Sequence, residues 1–135
     1  MVEYDGTDFH GFQVQPNLRT VQSVLQDLLL RITGEPIVIE FAGRTDAGVH
    51  ASGQVISFET SFRHGPEPLK RAMNALAPAD VAVLASEEVP TDFHARRSAR
   101  QRWYRYTVHN AREPRPLLHR WSYFYRQPLD VERMN

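Results

Sequence analysis

Cysteine is absent from the 135 residues, so the chain has no disulfide framework, thiolate nucleophile or zinc–sulfur centre. No apolar run approaches the ~20 residues a membrane helix needs. The opening Met1-Val2-Glu3-Tyr4-Asp5 lacks the basic and apolar regions of a signal peptide. These absences fit the cytosol. Net charge is missing too: 16 basic residues balance 16 acidic ones, which excludes a protein that holds nucleic acid by bulk charge alone. Lysine is reduced to Lys70. There is no repeat, low-complexity tract or long linker. What is present is ordinary globular composition, 41% apolar and 24% charged, at a length that suggests one compact domain, residues 1–135.

The zero charge hides a division. Residues 1–90 carry 6 basic and 12 acidic side chains, and residues 91–135 carry 10 basic and 4 acidic. All ten basic residues of the second stretch are arginine. Nine of them fall between Arg96 and Arg126, interleaved with Trp103, Tyr104, Tyr106, Trp121, Tyr123, Phe124 and Tyr125. Guanidinium forks pair with phosphates, and both they and aromatic faces stack on unpaired bases. The competing reading is a solvated sheet face over an aromatic core.

Apolar spacing predicts a helix over Val21–Ile32, where Val21, Val24, Leu25, Leu28, Leu29 and Ile32 form one stripe. Thr20 is suited to cap it, and Gly34 with Pro36 to stop it. Alternation predicts a strand over Ile37–Ala42 and another over Gln54–Glu59. A second helix is predicted over Pro68–Ala77, a strand over Val81–Leu84, and a longer strand over Gln101–Asn110. Trp121–Tyr125 is placed to pair with that last strand. With Met1–Tyr4 as the stub of a first strand, the order is βαββαβ followed by a β-hairpin. That order predicts an α+β fold, a ferredoxin-like layer of helices on a mostly antiparallel sheet. Val2–Tyr4 is short for a central strand and Leu129–Asn135 looks like the start of a helix, so both ends read as cut.

Between the two middle strands stands Gly43-Arg44-Thr45-Asp46-Ala47-Gly48-Val49-His50-Ala51. Two glycines within six residues imply positive φ or close backbone approach. A guanidinium, a carboxylate and an imidazole are held in a connection longer than a hairpin needs. The chemistry leaves three readings open. Asp46 satisfies backbone N–H groups in its turn and pairs with Arg44; or Asp46 and His50 ligate a metal, though no third ligand stands at suitable spacing; or the carboxylate does chemistry.

Gly43–Ala51 resembles the signature of the TruA-type tRNA pseudouridine synthases, and the resemblance runs almost the whole length. Tyr4-Asp5-Gly6-Thr7, Gly11-Phe12-Gln13 and Gln15 resemble the family's opening block, where a tryptophan more often stands at Phe12. Thr20-Val21-Gln22, Gly53-Gln54-Val55, Ala75-Leu76-Ala77-Pro78 and Asp80-Val81-Ala82-Val83 follow in order. Phe93-His94-Ala95-Arg96, Arg102-Trp103-Tyr104-Arg105-Tyr106, Leu129-Asp130 and Met134 complete the set.

The resemblance implies the pseudouridine synthase fold and the conversion of uridine to pseudouridine at positions 38–40 of the tRNA anticodon arm, without cofactor or metal. It puts the essential carboxylate on Asp46, either as a nucleophile towards the ribose or as a base at C2′. An ionised form, which Arg44 would favour, serves both roles. It assigns Arg44 to filling the gap left by the flipped base and to holding Asp46. Tyr104 falls on the tyrosine that stacks on the flipped uracil and takes the C5 proton. Tyr106 is read as packing, and His50 and His94 as structural or RNA-contacting. Arg96, Arg97, Arg100, Arg102 and Arg105 are candidates for phosphate contact.

The family's chains are about twice this long, with a second repeat of the fold. The chain is therefore expected to be the amino-terminal catalytic domain, with the second domain absent. The isolated fragment is expected to be inactive or weakly active. The whole enzyme is expected to be a cytoplasmic homodimer acting on tRNA. The alternative is a non-catalytic RNA-binding fragment of the same fold. An RRM is a poor match, because the strand region His50–Glu59 offers only Phe58 as an aromatic. A metal-dependent hydrolase using Asp46 and His50 is the other rival, removed by activity that survives a chelator.

Overall fold

A computed structural model describes residues 1–134. The chain divides into two units, residues 1–102 and a smaller one from Trp103 onward.

In the first unit, β1 (Val2–Tyr4) leads through a 3₁₀ turn at Gly6–Asp8 to α1 (Val21–Thr33). Then come β2 (Glu40–Phe41), β3 (Ala51–Gln54), β4 (Ile56–Ser57), α2 (Pro66–Leu76) and β5 (Val81–Val83). The short β1 is central. It runs antiparallel to β3 on one side, pairing Val2 with Gln54, and to β5 on the other, pairing Val2 with Val83. β3 and β4 are one strand interrupted at Val55. Beyond the break, β4 pairs antiparallel with β2, and the Ala42 N–H reaches the Val55 carbonyl at 2.9 Å. The order β5–β1–β3/β4–β2 is the antiparallel arrangement expected of a βαββαβ layer.

α1 forms where its apolar stripe predicts. Thr20 and Ser23 complete a capping box at its start, and Gly34, with φ of 75°, ends it in the left-handed conformation. Val21, Leu25, Leu28 and Leu29 are buried against Val2, Phe9, Phe12, Ile37, Ile39, Leu69, Met73, Val81 and Val83. Each such leucine contributes roughly 1.5–3 kcal/mol relative to exposure. Ile37 and Ile39 are buried while Val38 is exposed, so the predicted alternation holds although only Glu40 and Phe41 pair. α2 starts at Pro66, two residues earlier than predicted, because Gly65 with φ of 83° turns the chain into it. The strand predicted from Gln54 begins at Ala51. Asn74 of α2 receives the Val83 N–H at 2.7 Å and donates to the Val83 carbonyl at 2.9 Å, so a side-chain amide pairs with the flank of β5.

The second unit departs most from expectation. The strand predicted over Gln101–Asn110 is reduced to β6 (Val108–Asn110), with residues 101–107 outside any ladder among the described residues. Trp103, Tyr104 and Tyr106 are 88%, 66% and 91% exposed. Alternation supplies a strand's faces, but cross-strand neighbours supply its stability, and this stretch has no such row alongside it. β7 (Tyr123–Tyr125) does pair with β6, but parallel, Val108 with Tyr123 and Asn110 with Tyr125. The expected hairpin is thereby corrected. Residues 111–122, with Pro114, Pro116 and a 3₁₀ turn at Pro116–Leu118, form a crossover long enough to return the chain in the same direction. Asn110 holds the pair, its amide donating to the carbonyls of Tyr125 and Gln127, each at 2.7 Å. A four-residue helix, α3 (Val131–Met134), ends the described chain.

Candidate active site

The connection from β2 to β3 is held from below by the segment that follows β1. The Phe12 N–H donates to the Thr45 carbonyl at 3.0 Å, and the Gly48 N–H to the Phe9 carbonyl at 3.3 Å. Gly11, with φ of 84°, lies so close that a Cβ there would sit 2.9 Å from the Thr45 carbonyl oxygen. A Cβ on Gly6 would run into the Val49 carbonyl. The Val49 N–H closes a turn onto the Asp46 carbonyl at 3.1 Å, with Gly48 at φ of 79°.

Two buried polar side chains also end on this connection. The Tyr4 hydroxyl lies 2.8 Å from Thr45 Oγ1, and Gln54 Nε2 donates to the Gly43 carbonyl at 2.5 Å. Burial pushes the Tyr4 hydroxyl above its ordinary pKa, against the opposing effect of hydrogen bonds with Thr45 and Gln54. At the far end, His50 Nδ1 lies 2.9 Å from Asp5 Oδ1 and 3.1 Å from the Gly6 nitrogen. The ring nitrogen accepts from Gly6 when bare and donates to Asp5 when protonated, so both states tie the loop to the same turn. At the near end, Arg102 donates through Nε to the Ala42 carbonyl at 2.7 Å and through Nη2 to the Arg96 carbonyl at 3.1 Å.

On this clamped backbone Thr45 is partly buried, while its neighbours Arg44 and Asp46 are exposed. Among the described residues neither makes a side-chain hydrogen bond or ion pair, so Asp46 does not cap its own turn and is not paired with Arg44. The arrangement leaves a carboxylate and a guanidinium exposed on backbone that hydrogen bonds hold from below. The metal reading finds His50 already engaged with Asp5 and Gly6, and no group of three His, Cys, Asp or Glu gathers among the described residues.

Arg96, Arg97 and Arg100 are exposed beside a buried Ala95, whose N–H reaches Ser57 Oγ at 3.0 Å. Next to them His94 Nε2 stands 3.6 Å from Glu40. Arg102 differs from these three, because two of its donors are committed to backbone carbonyls. Tyr104 and Arg105 belong to the second unit and are exposed there. Tyr4, Thr45 and Gln54 carried no individual role in the sequence. Each stood inside a motif block, but nothing in the sequence showed that the hydroxyl of Tyr4 and the amide of Gln54 meet the segment Gly43–Thr45.

A family model described as tRNA pseudouridine synthase matches residues 1–96. A tRNA pseudouridine synthase A of Moorella thermoacetica is 51% identical over 133 residues, covering 97% of this chain and 54% of the relative. Its counterpart in Roseiflexus castenholzii is 48% identical, covering 99% of this chain and 50% of the relative. That of Thermotoga neapolitana is 46% identical, covering 99% and 55%. The chain spans about half the length of the curated relatives it matches.

Proposed function

The chain belongs to the tRNA pseudouridine synthase family, and from that premise we propose that it is the amino-terminal catalytic half of an enzyme converting uridine to pseudouridine in the tRNA anticodon arm, at positions 38–40. The observation that carries this reading is Asp46, an exposed carboxylate without an internal partner among the described residues, on a turn clamped by partly buried hydrogen bonds. A side chain kept solely for stability would be spent on its own turn. One held out on rigid backbone is pre-organised for a substrate.

In the reaction the N1–C1′ bond breaks, the uracil turns, and a C5–C1′ bond forms. C5 loses a proton and N1 gains one, so the sum is an isomerisation. Asp46 acts at the ribose, as nucleophile at C1′ or as base at C2′. The uridine leaves its helix at a cost of a few kcal/mol. Arg44, exposed and without a side-chain partner among the described residues, fills the gap. Tyr104 stacks on the flipped uracil and receives the C5 proton, while Arg96, Arg97, Arg100 and Arg105 meet phosphates. Arg102 keeps fewer donors for that purpose. The reaction uses no metal or cofactor. In this reading the whole enzyme is a cytoplasmic homodimer.

The test is Asp46→Asn in the full-length protein, read by tritium release from C5-labelled tRNA. The exchange keeps volume and one acceptor but removes nucleophile and base. Turnover should vanish while tRNA binding and the unfolding midpoint persist. Turnover by the variant would overturn the assignment. Retained binding with no turnover by the wild-type protein would favour the non-catalytic RNA-binding alternative.

A further inference from the structure

We infer that Tyr4 is a positioning residue for Asp46, acting through the hydroxyl of Thr45; this rests on the proposed role of Asp46.

Tyr4 lies on the central strand and is 2% exposed, its ring set among Phe9 and Phe12 at centroid distances of 6.4 and 6.0 Å. Phenylalanine would fill that space equally well. A buried hydroxyl costs free energy unless it is hydrogen-bonded, and this one meets Thr45 Oγ1 at 2.8 Å. Thr45 is held at two further points, its carbonyl by the Phe12 N–H and its peptide against Gly11. Thr45 is partly buried, and Arg44 and Asp46 on either side of it are exposed. Fixing one side chain thereby orients the two flanking it. Gln54 steadies the same segment two residues earlier through the Gly43 carbonyl. The core's hydroxyl and amide at these two places thus support the carboxylate without touching the substrate.

The experiment has two arms. In the full-length enzyme, Tyr4→Phe should lower kcat about ten- to a hundredfold, the scale of a small misplacement, with KM for tRNA within about twofold of wild type. Thr45→Val should do the same, and Thr45→Ser should restore most of the activity. The double variant should be no worse than the worse single one, because both remove one link. In the 135-residue chain, Tyr4→Phe should speed amide exchange at Phe12 and Val49 about tenfold and leave Leu29 in α1 unchanged. Unchanged exchange at Phe12 and Val49 would overturn the inference whatever the activity. Full kcat in Tyr4→Phe, or losses that multiply in the double variant, would do so too. A wild-type protein without turnover would instead overturn the proposed function, while the exchange pattern still decides whether Tyr4 holds the turn.

Discussion

Tyr4 and Tyr104 are tyrosines of opposite kinds, one 2% and the other 66% exposed. For Tyr4, burial lifts the hydroxyl pKa above the unfolded value near 10. A group with a raised folded pKa contributes stability that is fully present below the unfolded pKa and lost as pH rises through the folded one. Urea midpoints should therefore fall above about pH 10, and Tyr4→Phe should remove part of that fall. The other four tyrosines are common to both proteins, so the comparison isolates Tyr4; parallel curves would contradict it. For Tyr104 the hydroxyl and the ring separate by substitution. Stacking on an aromatic face is worth roughly 1–3 kcal/mol per base. If Tyr104 moves a proton, Tyr104→Phe in the full-length enzyme should lose most of kcat; if it only stacks, Phe should be near wild type and Leu impaired. Full activity in both variants would show that Tyr104 takes no part in the reaction.

At the level of elements, what was legible in the sequence was what repeats. The apolar stripe of α1, its Thr20 cap and its Gly34 stop are local signals, and each appears in the structure. The alternation of Ile37 and Ile39 was equally readable. Pairing is not local. Nothing in Gln101–Thr107 told whether a partner strand lay beside it, and nothing in residues 111–122 told whether the return would be a hairpin or a crossover. The site divided in the same way. The turn carrying Arg44 and Asp46 was visible through its glycines, but the clamp beneath it comes from residues distant in sequence, Tyr4, Phe9 and Phe12 before it and Gln54 after it. The glycines of this clamp differ in what they tolerate. Gly48→Ala meets open space and should cost only the left-handed backbone, about 1–2 kcal/mol. Gly11→Ala adds a clash with the Thr45 carbonyl, and should cost more by urea unfolding. Equal losses would show that the close approach is not maintained in solution.

For the whole molecule, the proposed division of labour sets an expectation for the 135-residue chain alone. The proposed catalysis depends on holding a flipped nucleotide in a closed, pre-organised site, and the curated relatives extend over about twice this length. Tritium release by the chain should therefore fall far below that of a full-length enzyme assayed beside it. RNA binding should be weak and drop steeply between low and physiological salt, since the proposed contacts are to phosphates. Comparable rates would show that one half holds a complete active site. The seat of β1 between β3 and β5 has a consequence for synthesis as well. Val2 pairs with Gln54 on one side and Val83 on the other, so β1 is flanked by two strands that are synthesised well after it. Both long loops must close before either ladder repays their entropy. Until then the apolar faces of Val2 and Tyr4 wait exposed on a growing chain, where misassociation competes with folding. The time taken to synthesise the chain from Val2 to Val83 sets how long that wait lasts, and the sheet cannot close around β1 until Val83 has been made.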